Sequence, residues 1–203
     1  MRLIKLVVLA TALLLSSCSS LLMPTVETQV ATLKAGQYKL DRAHASLLFK
    51  IQHLGLSTYV GRFNDFDASL DFDPDNIEES QLQGIIEIAT LDINNKALAE
   101  DLLSSTWFNA ATYPQAIFTS KSVRPINENQ FEFVGDLTWR GVTKSIDVLG
   151  TFHGGASNIL SGKYTLGFSA EASFLRSDFG MDAYIPIVGD QVDIEIHVEF
   201  QKN

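Results

Sequence analysis

The stretch Val192-Asp193-Ile194-Glu195-Ile196-His197-Val198-Glu199-Phe200 sets five large apolar residues in strict alternation with three acids and a histidine. In a β-strand successive side chains point to opposite faces, so such a run has one apolar and one wetted face. A helix of this sequence would scatter its apolar residues around the whole cylinder. The run is therefore read as a half-buried strand.

Working upstream, the same period of two recurs. Tyr164, Leu166, Phe168, Ala170, Ala172 and Phe174 share a face, as do Ile146, Val148, Gly150 and Phe152. Phe131, Phe133, Gly135, Leu137 and Trp139 form a third such set, Phe66, Ala68, Leu70 and Phe72 a fourth, and Leu47, Phe49, Ile51 and His53 a fifth. Two further strands are expected over 82–93 and 116–123. Turn signals separate the runs at Asp73-Pro74-Asp75-Asn76, Pro125 to Asn129, Arg140-Gly141 and Gly154-Gly155. One segment departs from the pattern. Residues 95–105 carry helix formers with Leu98, Leu102 and Leu103 at helical spacing, behind an Asn94 or Asn95 cap.

About eight antiparallel strands with hairpin turns give an all-β fold, either a sandwich or a closed up-and-down barrel. A barrel spanning a membrane alternates in the same way. The chain's polar end, Gln201-Lys202-Asn203, and the N-terminal signal described next argue against that form.

The chain opens with Arg2 and Lys5, a ten-residue apolar run from Leu6 to Leu15, and Ser16-Ser17-Cys18. This is the pattern of a secretory signal, and its apolar run is too short to cross a bilayer. Leu15-Ser16-Ser17-Cys18 resembles the lipobox of bacterial lipoproteins, which implies lipidation at Cys18 and cleavage before it. Ser19, in place of an acid, favours the outer membrane by the same resemblance. The expected parts are a signal peptide over 1–17, a lipidated tether over 18–36 and a barrel domain over 37–203. Cys18 is the one cysteine, so no disulfide is available and stability must come from packing. The mature chain of 186 residues carries 13 basic and 24 acidic residues, a net charge of −11. That balance argues against nucleic acid as a partner.

Six segments in order resemble the YceI-like family of bacterial periplasmic proteins: Tyr38 to Ser46; Phe49, His53-Leu54-Gly55 and Gly61-Arg62-Phe63; Tyr113 to Phe118; Gly135 to Lys144; Arg176 to Met181; and Val188 to Val192. The resemblance spans Tyr38 to Phe200. It implies an eight-stranded antiparallel lipocalin-like barrel with one short helix, holding a polyisoprenoid, quinone-like molecule, fatty acid or amide, as a carrier or sink rather than an enzyme. The small inward residues Gly84, Gly135, Gly150, Ala68, Ala170 and Ala172 fit an interior with room for such a chain. The helix departs from the family. Where many members have Arg-Asp and His-Leu-Arg-Ser, this chain has Leu98-Ala99 and Asp101-Leu102-Leu103-Ser104. An apolar and acidic lid makes a neutral ligand head the better fit.

The residues expected to meet ligand are Phe49, Ile51, His53, Phe66, Phe118, Trp139, Phe168, Phe174, Arg176 and Phe179. No cofactor or metal is expected. Asp71, Asp73 and Asp75 lack the twelve-residue calcium pattern, and His44, His53, His153 and His197 lack metal-ligand spacing. An enzymatic alternative would use His53, Arg176 or Asp178 as acid–base groups, and a second alternative is a filled barrel serving as a scaffold. The expected partners are a long-chain lipid, the membrane through Cys18, and a second copy of the chain in a homodimer.

Overall fold

The structure, a computed structural model, describes residues 23–203; the expected signal peptide over 1–17, Cys18 and the first part of the expected tether lie outside the described residues. Eleven strands form one sheet: β1 (Gly36–Leu40), β2 (Ser46–His53), β3 (Ser57–Phe63), β4 (Phe66–Phe72), β5 (Gln81–Glu87), β6 (Leu91–Asp92), β7 (Gln115–Pro125), β8 (Gln130–Trp139), β9 (Val142–Ser157), β10 (Tyr164–Leu175) and β11 (Val188–Lys202). The order β1-β4-β5-β7-β8-β9-β10-β11 closes when β11 returns to β1, pairing Leu40 with Phe200 and Tyr38 with Lys202. Every pairing is antiparallel. The fold is a closed barrel, not a sandwich.

Eleven segments amount to eight walls because three walls are broken once. β1 and β2 both run along β11, β3 and β4 run along them in turn, and β5 and β6 continue the next wall. The breaks fall at Arg42–His44, at Asn64-Asp65 and at Ile88–Thr90, side by side in the sheet. Asp41 turns the first by accepting from the Ala43 N–H at 3.1 Å. The Thr90 hydroxyl accepts from Asp65 N–H at 3.0 Å and donates to the Glu87 carbonyl at 2.7 Å, binding the other two together. Backbone groups freed by a break are thus re-paired with the neighbouring break.

The single α-helix, α1 (Lys96–Leu102), starts at Asn95, whose side chain accepts from Leu98 N–H at 3.1 Å. It sits in the connection between β6 and β7, at the same end of the barrel as the β2–β3 turn, the β8–β9 turn and the long loop before β11.

Two sequence expectations need correction. Gly154-Gly155 is not a turn but lies within β9, and the turn to β10 comes at residues 158–163. The tether is also shorter than expected. Glu27 forms a two-way backbone bridge with Gly155, both bonds at 2.8 Å, and Leu33 is buried in the core. The two corrections share a cause. A Cβ on Gly154 would come within 2.2 Å of Val26, so the glycines exist to admit the N-terminal segment against β9.

That segment closes one end. Leu33, Tyr38, Phe72, Val123, Phe131, Phe152, Tyr164 and Leu166 are buried there. Tyr38 donates its hydroxyl to the Lys34 carbonyl at 2.5 Å, and burial pushes its ionisation well above the ordinary value, with Tyr164 adding to the shift. Phe152 and Phe168 tilt together at 5.2 Å, and Phe168 meets Phe200 edge-on at 6.2 Å.

Candidate functional site

Above this packed end the inward faces change character. Ala68, Gly84, Gly150, Ala170 and Ala172 bring little volume, and a cavity of about 570 Å³ opens between them and the far end. The remaining wall is apolar: Leu47, Phe49, Phe66, Leu137, Ile194 and Val198 among others. The polar side chains on its lining are few, namely His53, Tyr59, Asp67 and Arg176, beside the indoles of Trp107 and Trp139. At the far end Leu98 and Leu102 of α1, then Trp107, Phe108 and Met181, lie over it as a lid.

Of the ten residues expected to meet ligand, nine line this cavity: Phe49, Ile51, His53, Phe66, Phe118, Trp139, Phe168, Phe174 and Arg176. Phe179 does not. It belongs to a short 3-10 turn, is 1% exposed, and packs behind the wall against Phe174 at 5.3 Å and Trp139 at 6.1 Å. Its place off the strands took it out of the alternation that aims the other rings inward.

The inward glycines divide in a way that composition could not reveal. A Cβ on Gly84 would meet nothing within 4 Å, so this glycine opens the cavity. One on Gly135 would lie 2.4 Å from the Thr119 carbonyl oxygen and 2.7 Å from the Phe118 ring. Gly135 makes room for Phe118 and is not part of the lining. On Gly150 the new carbon would touch the Phe133 ring at 3.3 Å, an intermediate case.

Arg176 is the largest departure from expectation. It lines the cavity yet is 3% exposed, and its donors are committed to the backbone. Nε donates to the Gly189 carbonyl at 2.8 Å, Nη1 to Met181 at 2.5 Å, and Nη2 to Ala183 at 2.9 Å and Val188 at 3.0 Å. Burial pulls its ionisation below the usual guanidinium value, opposed by Asp190 and Asp182; an arginine still keeps its charge. Its guanidinium carbon lies over the Trp107 ring, 5.5 Å from the centroid, and Tyr184 stacks with the same ring at 5.9 Å. The side chain therefore organises the loop that carries the lid. Arg140, which the sequence did not single out, does the same from the β8–β9 turn, donating to Phe179 and Gly180 carbonyls at 3.0 and 2.6 Å. Asp178 does not pair with Arg176. It faces Lys144 at 3.4 Å on the surface, while Asp190 holds Ser177 through its N–H and hydroxyl at 2.9 and 2.8 Å.

His53 stands at the rim and is exposed. His44 lies at the first strand break and bonds Asp41 at 2.9 Å. Among the described residues Asp41, His44 and Glu199 are the one group with metal-type ligand atoms close together. They lie on the outer wall, and Asp41 is already engaged by Ala43, His44 and Gln201. Asp73 uses its carboxylate on Asp75 and Asn76 N–H groups at 3.0 and 3.1 Å, the hydrogen bonds of a turn. Arg176 is held by backbone carbonyls and Asp178 faces Lys144 on the surface, so the acid–base set of the enzymatic alternative is not assembled.

The rim itself is apolar. Leu54, Leu56, Val60, Tyr184, Ile185 and Ile187 are exposed around the β2–β3 turn and the loop before β11, which Leu54 N–H joins to the Ile187 carbonyl at 2.8 Å.

Comparison with known proteins agrees with this architecture. A family model described as the YceI-like domain matches residues 38–200. Protein YceI of Escherichia coli O157:H7 is 35% identical over 167 residues, which is 81% of this chain and 86% of that protein. The crystal structure of BcnA from Burkholderia cenocepacia superposes with a TM-score of 0.72 at 26% identity, over 79% of this chain and 98% of BcnA. A polyisoprenoid binding domain from Saccharophagus degradans shares the fold at a TM-score of 0.64 and 14% identity, over 84% of this chain and all of that domain.

Proposed function

This chain belongs to the YceI-like family, and on that premise we propose that its barrel carries or stores one long apolar molecule at the periplasmic side of a bacterial membrane. The observation that carries the reading is the cavity of about 570 Å³, closed at one end and walled almost wholly by apolar side chains. That volume lies within the range of sites that enclose a small ligand. Removal of apolar area from water, about 25 cal/mol per Å², supplies the affinity without a chemical step. The polyisoprenoid binding of the Saccharophagus degradans domain fits the same class of occupant. Isoprenoids, quinone-like molecules and fatty amides or acids all meet the requirement. A filled barrel used as a scaffold is disfavoured, because the space is not filled.

The anchor belongs to the proposal. With Cys18 lipidated, eight residues lie between it and Glu27, where the chain joins the closed end. Fully extended they reach roughly 30 Å. The anchor thus holds the closed end near the membrane, the outer membrane by the character of Ser19, and leaves the lid and its apolar rim at the opposite end of the barrel. Such a mouth is placed to exchange its contents away from the anchoring surface, including with a second copy of the chain.

Solvent extraction and native mass spectrometry of the mature protein, purified from its host under mild conditions, test the central point. One long apolar molecule per barrel is expected. Protein that carries none, and that takes up no alkane or isoprenoid after delipidation, overturns it.

A further inference from the structure

One layer of inward side chains forms the floor of the cavity. Going down the walls from the mouth, the last residues to line the space are Leu70 on β4, Phe133 on β8, Phe168 on β10 and Phe200 on β11. At the next inward position Phe72, Phe131 and Leu166 are buried and no longer line it. Phe168 is backed by Phe152, with ring centres 5.2 Å apart, and meets Phe200 edge-on at 6.2 Å. Leu166 behind them is fully buried. Side chains packed to this degree do not part to admit a chain, so the floor is a fixed stop.

The distance from floor to mouth can be counted in carbons. Val192 and Phe200 both line the cavity and lie eight residues apart on β11. At about 3.3 Å per residue and a barrel tilt of about 40°, they span about 20 Å of the axis. An extended chain of single bonds of about 1.5 Å advances about 1.25 Å per carbon, so this length takes about 16 carbons. Volume gives a second count. A methylene packed at interior density takes about the share of one liquid water, about 30 Å³, so the cavity of about 570 Å³ holds about 19 carbons. The two counts agree for a single chain. A second chain alongside would need about twice the volume over the same length.

We propose that the cavity selects its occupant by length, enclosing one apolar chain of about 16–20 carbons, and that Phe168 is the residue that sets the limit. An isoprenoid of about four five-carbon units is the largest of that class to be enclosed. A longer chain cannot pass the floor, and its excess carbons stand out at the lid. The inference rests on the reading of the cavity as a lipid site and adds the length of the occupant and the residue that fixes it.

The test uses mature protein with Cys18→Ser, which carries no anchor of its own, after removal of bound lipid. It is equilibrated with phosphatidylcholine vesicles holding an equimolar series of unbranched primary alcohols of about 10 to about 28 carbons, then separated and extracted. Vesicle and protein both hide an enclosed chain from water, so enrichment on the protein reads fit, and each carbon left in water costs about fourfold. Enrichment is expected to peak at about 16–20 carbons and to fall at least about tenfold by about 26. Phe168→Ala, which opens the floor toward Phe152 and Phe200, should move the peak up by about three carbons. Phe168→Leu, a milder change that the fold tolerates, should move it up by about one. A flat profile, or a peak outside about 14–22 carbons, overturns length selection and leaves the lipid site standing. A peak at the expected length that neither variant moves overturns the assignment of Phe168. Failure of the unsubstituted floor to take up alcohol of any length overturns the lipid site itself.

Discussion

At the closed end of the barrel Leu166 is fully buried and Tyr38 is 1% exposed, and the N-terminal segment adds Leu33 to the same packing. At the mouth end the same strands, in the same alternation, enclose empty space under a lid of non-strand segments. The difference comes from volume and from covering. Tyr, Phe and Leu face inward at the closed end, whereas Gly84, Ala68, Ala170 and Ala172 face inward above it, and the mouth is capped by α1 and the loop before β11 rather than by the chain's own tail. Alternation assigns a side of the sheet. It does not say whether that side is filled.

Truncation should cost most where packing is complete. Leu166→Ala leaves a new void among rigid neighbours and is expected to lower unfolding free energy by about 3–5 kcal/mol, whereas Ile196→Ala, which only enlarges existing space, should cost about 1–2 kcal/mol. Urea unfolding of the two variants measures the contrast, and equal losses would erase it.

Next comes the lid. Arg176→Gln removes the cation that four backbone carbonyls share, with an expected loss of about 2–3 kcal/mol. Hydrogen exchange should accelerate over residues 176–189 and stay unchanged at Tyr38 and Leu166.

Two of the inward glycines give a smaller and more selective effect. Gly135→Ala forces a carbon against the Thr119 carbonyl and should destabilise by about 1–3 kcal/mol. Gly84→Phe places its ring in open space, should leave stability within about 1 kcal/mol, and should abolish lipid uptake. Thermal unfolding and extraction of bound lipid score both. A Gly84→Phe protein that still carries lipid would show that the occupant lies elsewhere.

The smallest effect is electrostatic and lies on the outer wall. The hydrogen bond to Asp41 raises the His44 ionisation above its ordinary 6.5, and the same bond to His44 lowers that of Asp41 below its ordinary 3.8. The His44 contribution is complete below 6.5 and fades as pH rises through the raised value; the Asp41 contribution is present above 3.8 and fades as pH falls through the lowered one. Stability from this exposed pair is therefore greatest between about pH 4 and 6.5. His44→Ala should flatten the Tm profile by no more than about 2 °C across that window.

Much of the site was legible because strand period is local. Phe49, Ile51 and His53 were aimed by their own spacing, and β2 carries all three to the cavity. Phe179 was misplaced because its segment has no such period, and Arg176 was misread because four backbone carbonyls that occupy it come from residues 181, 183, 188 and 189, in a loop whose path sequence spacing does not fix. Gly154-Gly155 resembled a turn, since the pair is a common one, until Val26 and Glu27 were found against it. Phe168 was aimed correctly, but that it ends the cavity depends on Phe152 and Phe200 packed against it.

By itself the sequence determined the number of walls, the inward face of each and the apolar character of the interior, because all three follow from covalent geometry that sends successive side chains to opposite sides. Only the tertiary structure decided closure of β11 on β1, the three aligned breaks, the plugged end and the cavity. Each of these depends on residues far apart in the chain, Tyr38 with Lys202 or Glu27 with Gly155, and on whether a neighbour such as Phe118 fills the room a glycine leaves.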